Sequence, residues 1–211
     1  GFYGLLMHSG TFQPDNIAAS RYNSLFEGKR VTLHSGATIA VETGTRGIRI
    51  GELNTEAGST LSGYYKKSTA NSYFILGGRG TDSKLAGQIT ATNGNKIGLI
   101  KEGTGSLRLT GNDNDINAGI RLLEGTLVIA NDAQAALSGK KSGATGNTGT
   151  LTIFNKGTLS GDGSIAAPTE VYGTIAPAGT LHFVNYKATT SAVKVTLHPE
   201  AEIVCHVKST D

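Results

Sequence analysis

The 211-residue chain has no tryptophan, one methionine, one cysteine and four prolines. A single cysteine excludes an intramolecular disulfide, and Cys205 has no second cysteine with which to form a CxxC redox or zinc motif. We therefore interpret Cys205 as a buried structural thiol. Aromatic residues make up only 6% of the chain and charged residues 17%. A helical bundle is usually richer in charged residues, so this composition argues against that class of protein.

Long hydrophobic runs are also missing. No apolar stretch approaches the roughly 20 residues of a membrane-spanning helix, and no basic and apolar signal sequence opens the chain. Because the chain starts at Gly1 without an initiator methionine, we expect it to be a segment of a longer exported protein. The formal charge is +3, but the basic residues are scattered, so we expect no nucleic-acid partner.

Glycine, in contrast, is abundant. It occurs 30 times, about double the usual share, and 37% of the residues are hydrophobic. This hydrophobic content is too high for a disordered glycine-rich linker. A glycine-rich sequence with many threonines and β-branched residues therefore predicts an all-β protein of short strands and tight turns.

One short pattern recurs: a glycine, a small polar residue, and then apolar, polar and apolar residues. The alternation predicts short strands with one buried face, and helical spacing is almost absent. The pattern occurs as "GATIAV" (36–41), "GIRI" (47–50), "GSTLSG" (58–63), "GSLRLTG" (105–111), "GTLVI" (125–129), "GTLTI" (149–153), "GTLSGDGSI" (157–165), "GTIAPAG" (173–179) and "GTLHF" (179–183).

The irregular spacing of these units is compatible with a solenoid and with a hairpin-built sandwich. Glycine with threonine or serine at the strand starts favours the solenoid, because it suits a chain that turns sharply between sheets. Leucine, isoleucine and valine two residues later would then stack on their equivalents in neighbouring coils. We therefore expect a single stacked domain over residues 1–211.

The span 84–183 resembles the autotransporter-associated β-strand repeat, also called the passenger-associated transport repeat, of bacterial surface proteins. The later "GTIAPAG" resembles the element that closes such repeats, whereas Ile116 and Ala118 depart from the family pattern. The residues that carry the match are Lys101, Gly103, Gly105, Leu107, Leu109, Gly111, Asn112, Gly125, Thr126 and Leu127.

This resemblance implies a right-handed parallel β-helix that is exported and displayed at a bacterial surface. On this interpretation residues 1–82 form early coils or an N-terminal cap, 83–184 form the repeat-like coils, and 185–211 form a final coil or a hairpin cap. Caps at both ends are expected because an exposed last coil would offer unpaired amides and carbonyls to other chains.

The stretch "DNDINAGIRLLE" (113–124) partly matches a calcium-binding EF-hand loop. Asp113, Asp115 and Glu124 occupy ligand positions, but Ala118 stands where the loop needs a glycine. The flanking segments read as strands, whereas an EF-hand requires two helices. We therefore favour a turn followed by core residues, with no metal expected and these three acids as weak candidate ligands.

No convergent catalytic set is present, and we predict no catalytic residue and no cofactor. Asp162 and Glu170 form a second acidic pair, but "SGDGS" is typical of a turn. His198, Cys205 and His206 could approach one another in a terminal hairpin. Adjacent residues of a strand point to opposite faces, however, so Cys205 and His206 would not share a zinc ion.

Ligand contact is predicted in two places. Tyr64, Tyr65, Lys66 and Lys67 form a loop in which rings beside cationic side chains could stack on sugars or hold anionic glycans. Arg108 and Arg121 occupy the outward position of apolar-Arg-apolar strands, as Arg49 does, and would form a basic row if they align. The simpler interpretation of all these residues is ordinary packing and solvation.

These patterns predict a non-enzymatic bacterial surface or secreted module, either an adhesin or a stalk. Its expected partners are surface glycans or cell-surface proteins. Two alternatives stay open, namely a polysaccharide lyase or hydrolase on the same scaffold and a purely structural spacer. An enzyme would place several acids and an aromatic platform along one groove, and the sequence shows no such set.

Overall fold

A computed structural model describes residues 4–14, 23–41, 47–63, 71–91, 96–112, 114–131, 137–138, 149–183 and 193–205. Within these ranges every regular element is a β-strand, so the prediction of an all-β protein is confirmed. The short strands and turns follow the alternation and the glycines noted above.

The strands of the described residues are numbered in chain order. They are β1 (Gly4–Met7), β2 (Gly10–Phe12), β3 (Asn23–Leu33), β4 (Ala37–Ala40), β5 (Gly47–Thr55), β6 (Thr60–Ser62), β7 (Asn71–Leu76), β8 (Ser83–Leu85), β9 (Gln88–Thr90), β10 (Lys96–Lys101), β11 (Ser106–Leu109), β12 (Gly119–Ile129), β13 (Leu137–Ser138), β14 (Leu151–Gly161), β15 (Ser164–Ala166), β16 (Thr169–Val171), β17 (Thr174–Ile175), β18 (His182–Phe183), β19 (Val195–Leu197) and β20 (Glu202–Ile203).

Three sheets contain these strands, and every strand pair described is parallel. Sheet A has 13 strands, with the main order β1-β3-β5-β7-β10-β12-β14-β16-β19. Sheet B has the order β2-β4-β6-β9, and sheet C has the order β13-β15-β18. Sheet A therefore holds most of the strands and provides the surface on which the candidate site lies.

The predicted right-handed parallel β-helix with capped ends is wrong, because six parallel strands of sheet A close into a barrel. Strand β5 pairs with β7 through Gly47–Ile50 and with β8 at Thr55. Strand β12 pairs with β10 through Gly119–Leu122 and with β11 through Thr126–Ile129. Two routes, through β7 and β10 and through β8 and β11, thus connect β5 with β12 and close the ring. The remaining strands of sheet A are bonded outside it.

The hydrophobic core follows the alternation predicted from the sequence. In β11, Leu107 and Leu109 are buried while Arg108 between them is exposed. Ile116 and Ile120 also belong to the core, as does Leu122, which confirms the core residues predicted for this segment. Successive side chains of a strand take opposite faces, so the core positions could be read from the period of two.

Two glycines of the repeat-like motif are required by close approaches of the backbone. Gly103 has a φ of 72°, in the left-handed region, and a Cβ there would meet the Gly77 carbonyl oxygen. A Cβ on Gly105 would meet the Thr81 carbonyl oxygen. The spacing of these glycines therefore reflects the tight packing of the turn after β10 against the turn after β7.

The last strands of sheet A extend existing ladders. Strand β19 pairs with β16, and β20 pairs with β17, both in parallel. The predicted division of the chain at residues 82/83 and 184/185 stays a prediction. Core-facing residues of these last strands are partly solvent-exposed, with Leu197 and Ile203 each 50% exposed.

Candidate functional site

The structure separates the residues that the sequence suggested for ligand contact. Tyr64, Tyr65, Lys66 and Lys67 lie outside the described residues. Arg108, in β11, neighbours Lys84 and Val128 in register. Arg121 lies in the other half of the β12 ladder, in register with Ile100 and Thr152. The two arginines are exposed, but they occupy different rows and do not form one basic row.

Beside Arg121, three rings form a ladder on the outward side of sheet A. Ile153, Val171 and Leu197 are in register across β14, β16 and β19 and face the core side. The residue after each of them is aromatic, namely Phe154, Tyr172 and His198. Because consecutive residues alternate between faces, these three rings stack on the outward side. We call these three residues the aromatic ladder.

The rings of the aromatic ladder are nearly parallel and stacked. The Phe154 and Tyr172 ring centroids are 6.3 Å apart with an angle of 18° between the planes. The Tyr172 and His198 centroids are 3.7 Å apart with an angle of 10°. All three side chains are partly exposed. Tyr172 and His198 each cover one ring face of the other, so this pair presents its ring edges and polar atoms on the outward side.

Charged groups lie at both ends of the aromatic ladder. The Arg121 guanidinium carbon is 5.4 Å from the centroid of the Phe154 ring, within the range of a cation–π interaction. At the other end, Glu170 Oε2 is 2.8 Å from His198 Nε2, and Glu170 Oε1 accepts a hydrogen bond of 3.2 Å from Thr196 Oγ1. The hydrogen bond from His198, followed by that from Thr196, holds the pKa of Glu170 below its usual value.

The aromatic ladder was not predicted from the sequence, although a signal for it is present there. The segments "LTIF" (151–154), "TEVY" (169–172) and "VTLH" (195–198) each place an aromatic residue after the second core-facing position. Glu170 had been considered only together with Asp162, which is exposed on a turn. Only the strand register shows that these three segments are neighbours in the sheet and that their aromatic residues therefore stack.

The described part of the acidic stretch, residues 114–124, is a loop with a turn followed by a strand, as the sequence predicted. Its flanks are the strands β11 and β12 rather than helices. Asn114 Oδ1 accepts a hydrogen bond of 2.9 Å from the Ile89 amide, and the Asp115 amide donates one of 2.8 Å to the Ile89 carbonyl oxygen. Asp113 lies outside the described residues. The turn is therefore held to β9 by backbone and side-chain hydrogen bonds.

Asp115 is an unusual member of this turn. Its Oδ1 atom is buried and has no hydrogen-bond partner among the described residues. Burial raises the pKa of Asp115 to about 6 from its ordinary value of 3.8. Within the described ranges, no group of three histidine, cysteine, aspartate or glutamate side chains is placed to hold a metal ion. Glu124, a weak candidate ligand from the sequence, lies beside Lys101, whose charged form it favours.

Lys101, a residue of the repeat-like motif, is the most buried charged side chain of this region, with 1% exposure. Its Nζ donates hydrogen bonds to the carbonyl oxygens of Glu102 at 2.8 Å, Gly103 at 2.6 Å and Glu124 at 3.2 Å. Burial lowers the pKa of Lys101 to about 8. The lysine thus joins the turn after β10 to β12, a structural role that could not be predicted from its position in the motif.

Two further predictions concern the C-terminal segment. Cys205 is exposed, so its interpretation as a buried thiol is wrong. His198 is engaged with Tyr172 and Glu170, while His206 lies outside the described residues. A zinc site shared by these residues therefore gains no support from the described part of the chain.

Comparison of the chain with models of known protein families and with curated proteins finds no match. The described residues contain no helix with the length and apolar character needed to cross a membrane.

Proposed function

We propose that this chain is a non-enzymatic module displayed at a bacterial surface, an adhesin or stalk that binds glycans at the aromatic ladder and Arg121. The observation that carries the proposal is the outward row of Phe154, Tyr172 and His198, with Arg121 at one end and Glu170 beside the other. It is a partly exposed row of ring edges, hydrogen-bonding groups and charge on one sheet.

The chemistry of this row suits a hydroxyl-rich, repeating ligand. Neighbouring strands are about 4.8 Å apart, so the row places three rings on successive strands, and two of them, Tyr172 and His198, carry polar atoms. Tyrosine and histidine combine an apolar ring with a polar tip, and the ring edges can pack against the apolar parts of a sugar while the tips bond its hydroxyls. Arg121 adds a cation that would favour glycans with acidic groups.

Display at a bacterial surface rests on the resemblance to autotransporter-associated repeats. Lys101, Gly103 and Gly105 carry that resemblance and have defined packing roles in the turn between β10 and β11. The proposal for the site does not depend on this resemblance, since it follows from the geometry of the outward row.

A glycan array with the purified protein tests the site. We expect retention of a subset of glycans and about tenfold weaker binding by Tyr172→Ala and by Arg121→Gln. Arg108→Gln is the matched control, because Arg108 is an exposed arginine in a different row and its replacement should leave binding unchanged. Circular dichroism should show the same β spectrum for all three variants.

The same array separates the remaining alternatives. Alanine at Tyr64, Tyr65, Lys66 and Lys67 tests the predicted loop, and loss of binding there with normal binding by Tyr172→Ala would move the site to the loop. Shortened glycan products after incubation would replace the proposal with a polysaccharide lyase or hydrolase. If no glycan is retained, the adhesin proposal fails and the spacer remains.

A further inference from the structure

Glu52, in β5, is buried although it lies on the outward side of sheet A. Its neighbour Leu53 belongs to the core, and consecutive residues of a strand take opposite faces. Glu52 is nevertheless only 4% exposed. A buried carboxylate is costly unless it is paired and hydrogen-bonded. The side chains that cover Glu52 must therefore compensate its charge.

Four side chains among the described residues supply this compensation. Arg30, the register partner of Glu52 in β3, places its Nε atom 2.7 Å from Glu52 Oε1. Asn54 Nδ2 donates a hydrogen bond of 3.0 Å to Oε1, and Thr81 Oγ1 donates one of 2.9 Å to Oε2. Arg79 Nε lies 3.5 Å from Oε2. Desolvation opposes ionisation of Glu52, but the hydrogen bonds from Arg30 and Thr81 outweigh it and hold the pKa of Glu52 below its ordinary value.

The backbone fixes Arg79 in place. Its Nη1 atom donates a hydrogen bond of 3.0 Å to the Gly28 carbonyl oxygen. A Cβ at Gly51 would lie 2.7 Å from Arg79 Cγ, so the arginine stem packs directly over a backbone that has no side chain. The fold therefore brings a second guanidinium group to a carboxylate that already has three hydrogen-bond donors.

Arg30 and Arg79, which we call the arginine pair, retain unused donors. A guanidinium group carries five N–H donors, and no described residue accepts a hydrogen bond from either Nη atom of Arg30. The Arg30 side chain is 61% exposed and the Arg79 side chain 37%. One buried carboxylate thus holds two partly exposed guanidinium groups side by side.

The acids that adjoin this place in the sequence have partners of their own. Asp82 follows Thr81 and accepts hydrogen bonds of 2.7 Å from the Ser106 amide and 2.8 Å from the Ser106 hydroxyl. Glu27 precedes Gly28 and lies 3.8 Å from Arg49 Nη1. Among the described residues, Glu52 is the acid that pairs with the arginine pair, so two positive charges share one negative charge.

We propose that the arginine pair, positioned by Glu52, binds the sulfate or phosphate ester group of a sugar. A tetrahedral oxyanion has acceptor oxygens in several directions, so it can accept hydrogen bonds from two guanidinium groups at once. A planar carboxylate, in contrast, is satisfied by the fork of a single arginine. Four strands separate β3 from β14 in the order of sheet A, so this site is additional to the aromatic ladder and does not depend on the function proposed above.

NMR of the arginine Nε–H groups tests the site with small probes. Sodium sulfate, compared with sodium chloride at equal ionic strength, should shift the signals of Arg30 and Arg79. The signal of Arg108, an exposed arginine of β11, should stay unchanged. Glucose sulfate and glucose phosphate should both act like sulfate, and the ester that binds more tightly identifies the preferred source of the oxyanion. Unmodified glucose should have no effect.

Affinities from the same titrations separate positioning from simple charge. Arg30→Gln should weaken sulfate binding about tenfold, and Arg30→Lys nearly as much, because lysine keeps the charge but not the planar fork. Glu52→Gln makes the site more positive, yet it should also weaken binding because the two guanidinium groups lose their shared partner. Arg108→Gln is the matched control and should bind normally. Tyr172→Ala should also bind normally, which distinguishes this site from the aromatic ladder.

Two outcomes would show that charge alone attracts the anion and would overturn the proposal: binding by Arg30→Lys equal to that of the unmodified protein, or tighter binding by Glu52→Gln. If Glu52→Gln does not fold, Arg30→Lys decides the question, since Arg30 is mostly exposed and its replacement should leave the circular dichroism spectrum unchanged. Unshifted Arg30 and Arg79 signals with all of the anionic probes would refute the site.

Discussion

The segments that precede β11 and β12 each bury a charged side chain, but the two charged groups differ in their hydrogen-bond partners. Lys101, before β11, is almost fully buried, and its ammonium group has three carbonyl partners. Asp115, before β12, has a buried carboxylate oxygen with no partner in the described part of the chain. Burial moves both pKa values towards neutrality, to about 8 for Lys101 and about 6 for Asp115.

This difference shows that burial alone does not decide whether a charge stabilises the fold. A buried ion that satisfies several backbone groups organises them, whereas a buried carboxylate oxygen without a donor carries an uncompensated desolvation cost. We therefore expect removal of the Lys101 charge to destabilise the protein and removal of the Asp115 charge to stabilise it.

Lys101→Met should have the largest effect. The methionine keeps much of the apolar volume but leaves three carbonyl oxygens without their donor, which should lower the free energy of unfolding by about 2–4 kcal/mol. Urea denaturation measures this change. Lys84→Met, at an exposed position of β8, is the control and should change stability by less than about 0.5 kcal/mol. Equal effects of the two variants would contradict the role assigned to Lys101.

Gly105→Ala should have the second largest effect. A Cβ at this position would meet the Thr81 carbonyl group and would lie 2.8 Å from the Gly80 oxygen, so the backbone would have to shift. We expect a loss of about 2 kcal/mol in the same denaturation experiment. Gly78→Ala is the control, since its Cβ would approach only the flexible Glu102 side chain, at 3.1 Å. If Gly105→Ala leaves the free energy of unfolding unchanged, the backbone of the turn can shift at little cost in energy.

Asp115→Asn should act in the opposite direction and depend on pH. The folded-state pKa lies above the ordinary value, so the native protein binds more protons than the unfolded chain between about pH 4 and pH 6 and loses stability as the pH rises. The variant lacks this loss and should be about 1 kcal/mol more stable at pH 7.5, with the difference vanishing near pH 3.5. Thermal unfolding of the variant and of the unmodified protein at several pH values measures this difference in stability.

Asp162→Asn is the control for this pH profile, because Asp162 is exposed on a turn and its replacement should leave the profile unchanged. A stability difference between Asp115→Asn and the unmodified protein that is the same at pH 3.5 and pH 7.5 would show that the carboxylate charge is not responsible.

Calcium should have the smallest effect. A bound ion would give the Asp115 oxygen a partner and remove the contrast with Lys101, but we expect no bound ion. Millimolar calcium should therefore leave the thermal unfolding midpoint unchanged, whereas an ion that binds only the folded state would raise it. A clear upward shift that disappears in Asp115→Asn would restore the metal hypothesis for the turn.

The local predictions from the sequence succeeded because they depend on a strict period of two. The alternation around Arg108 placed Leu107 and Leu109 in the core, and the flanks of the acidic stretch were correctly predicted as strands. The aromatic ladder was missed because its members are separated by 18 and 26 residues along the chain. Only the parallel registers of β14, β16 and β19 bring them together.

The arrangement of the strands could not be predicted in the same way. Alternation assigns a residue to a face but does not say which strand lies beside it. Strands β5 and β12 each change partner along their length, and this change closes the six-stranded barrel where a β-helix had been expected. The sequences of β5 and β12 do not indicate whether each strand pairs with one neighbour on that side or with two in succession.

The sequence by itself determined the all-β character and most core positions, because these follow from side-chain alternation within a few residues. The tertiary structure alone decided the closed ring, the stacking of Tyr172 between Phe154 and His198, and the contrasting environments of Lys101 and Asp115. The physical reason is that register, ring stacking and desolvation are properties of segments distant in sequence, and their energies exist only once those segments are in contact.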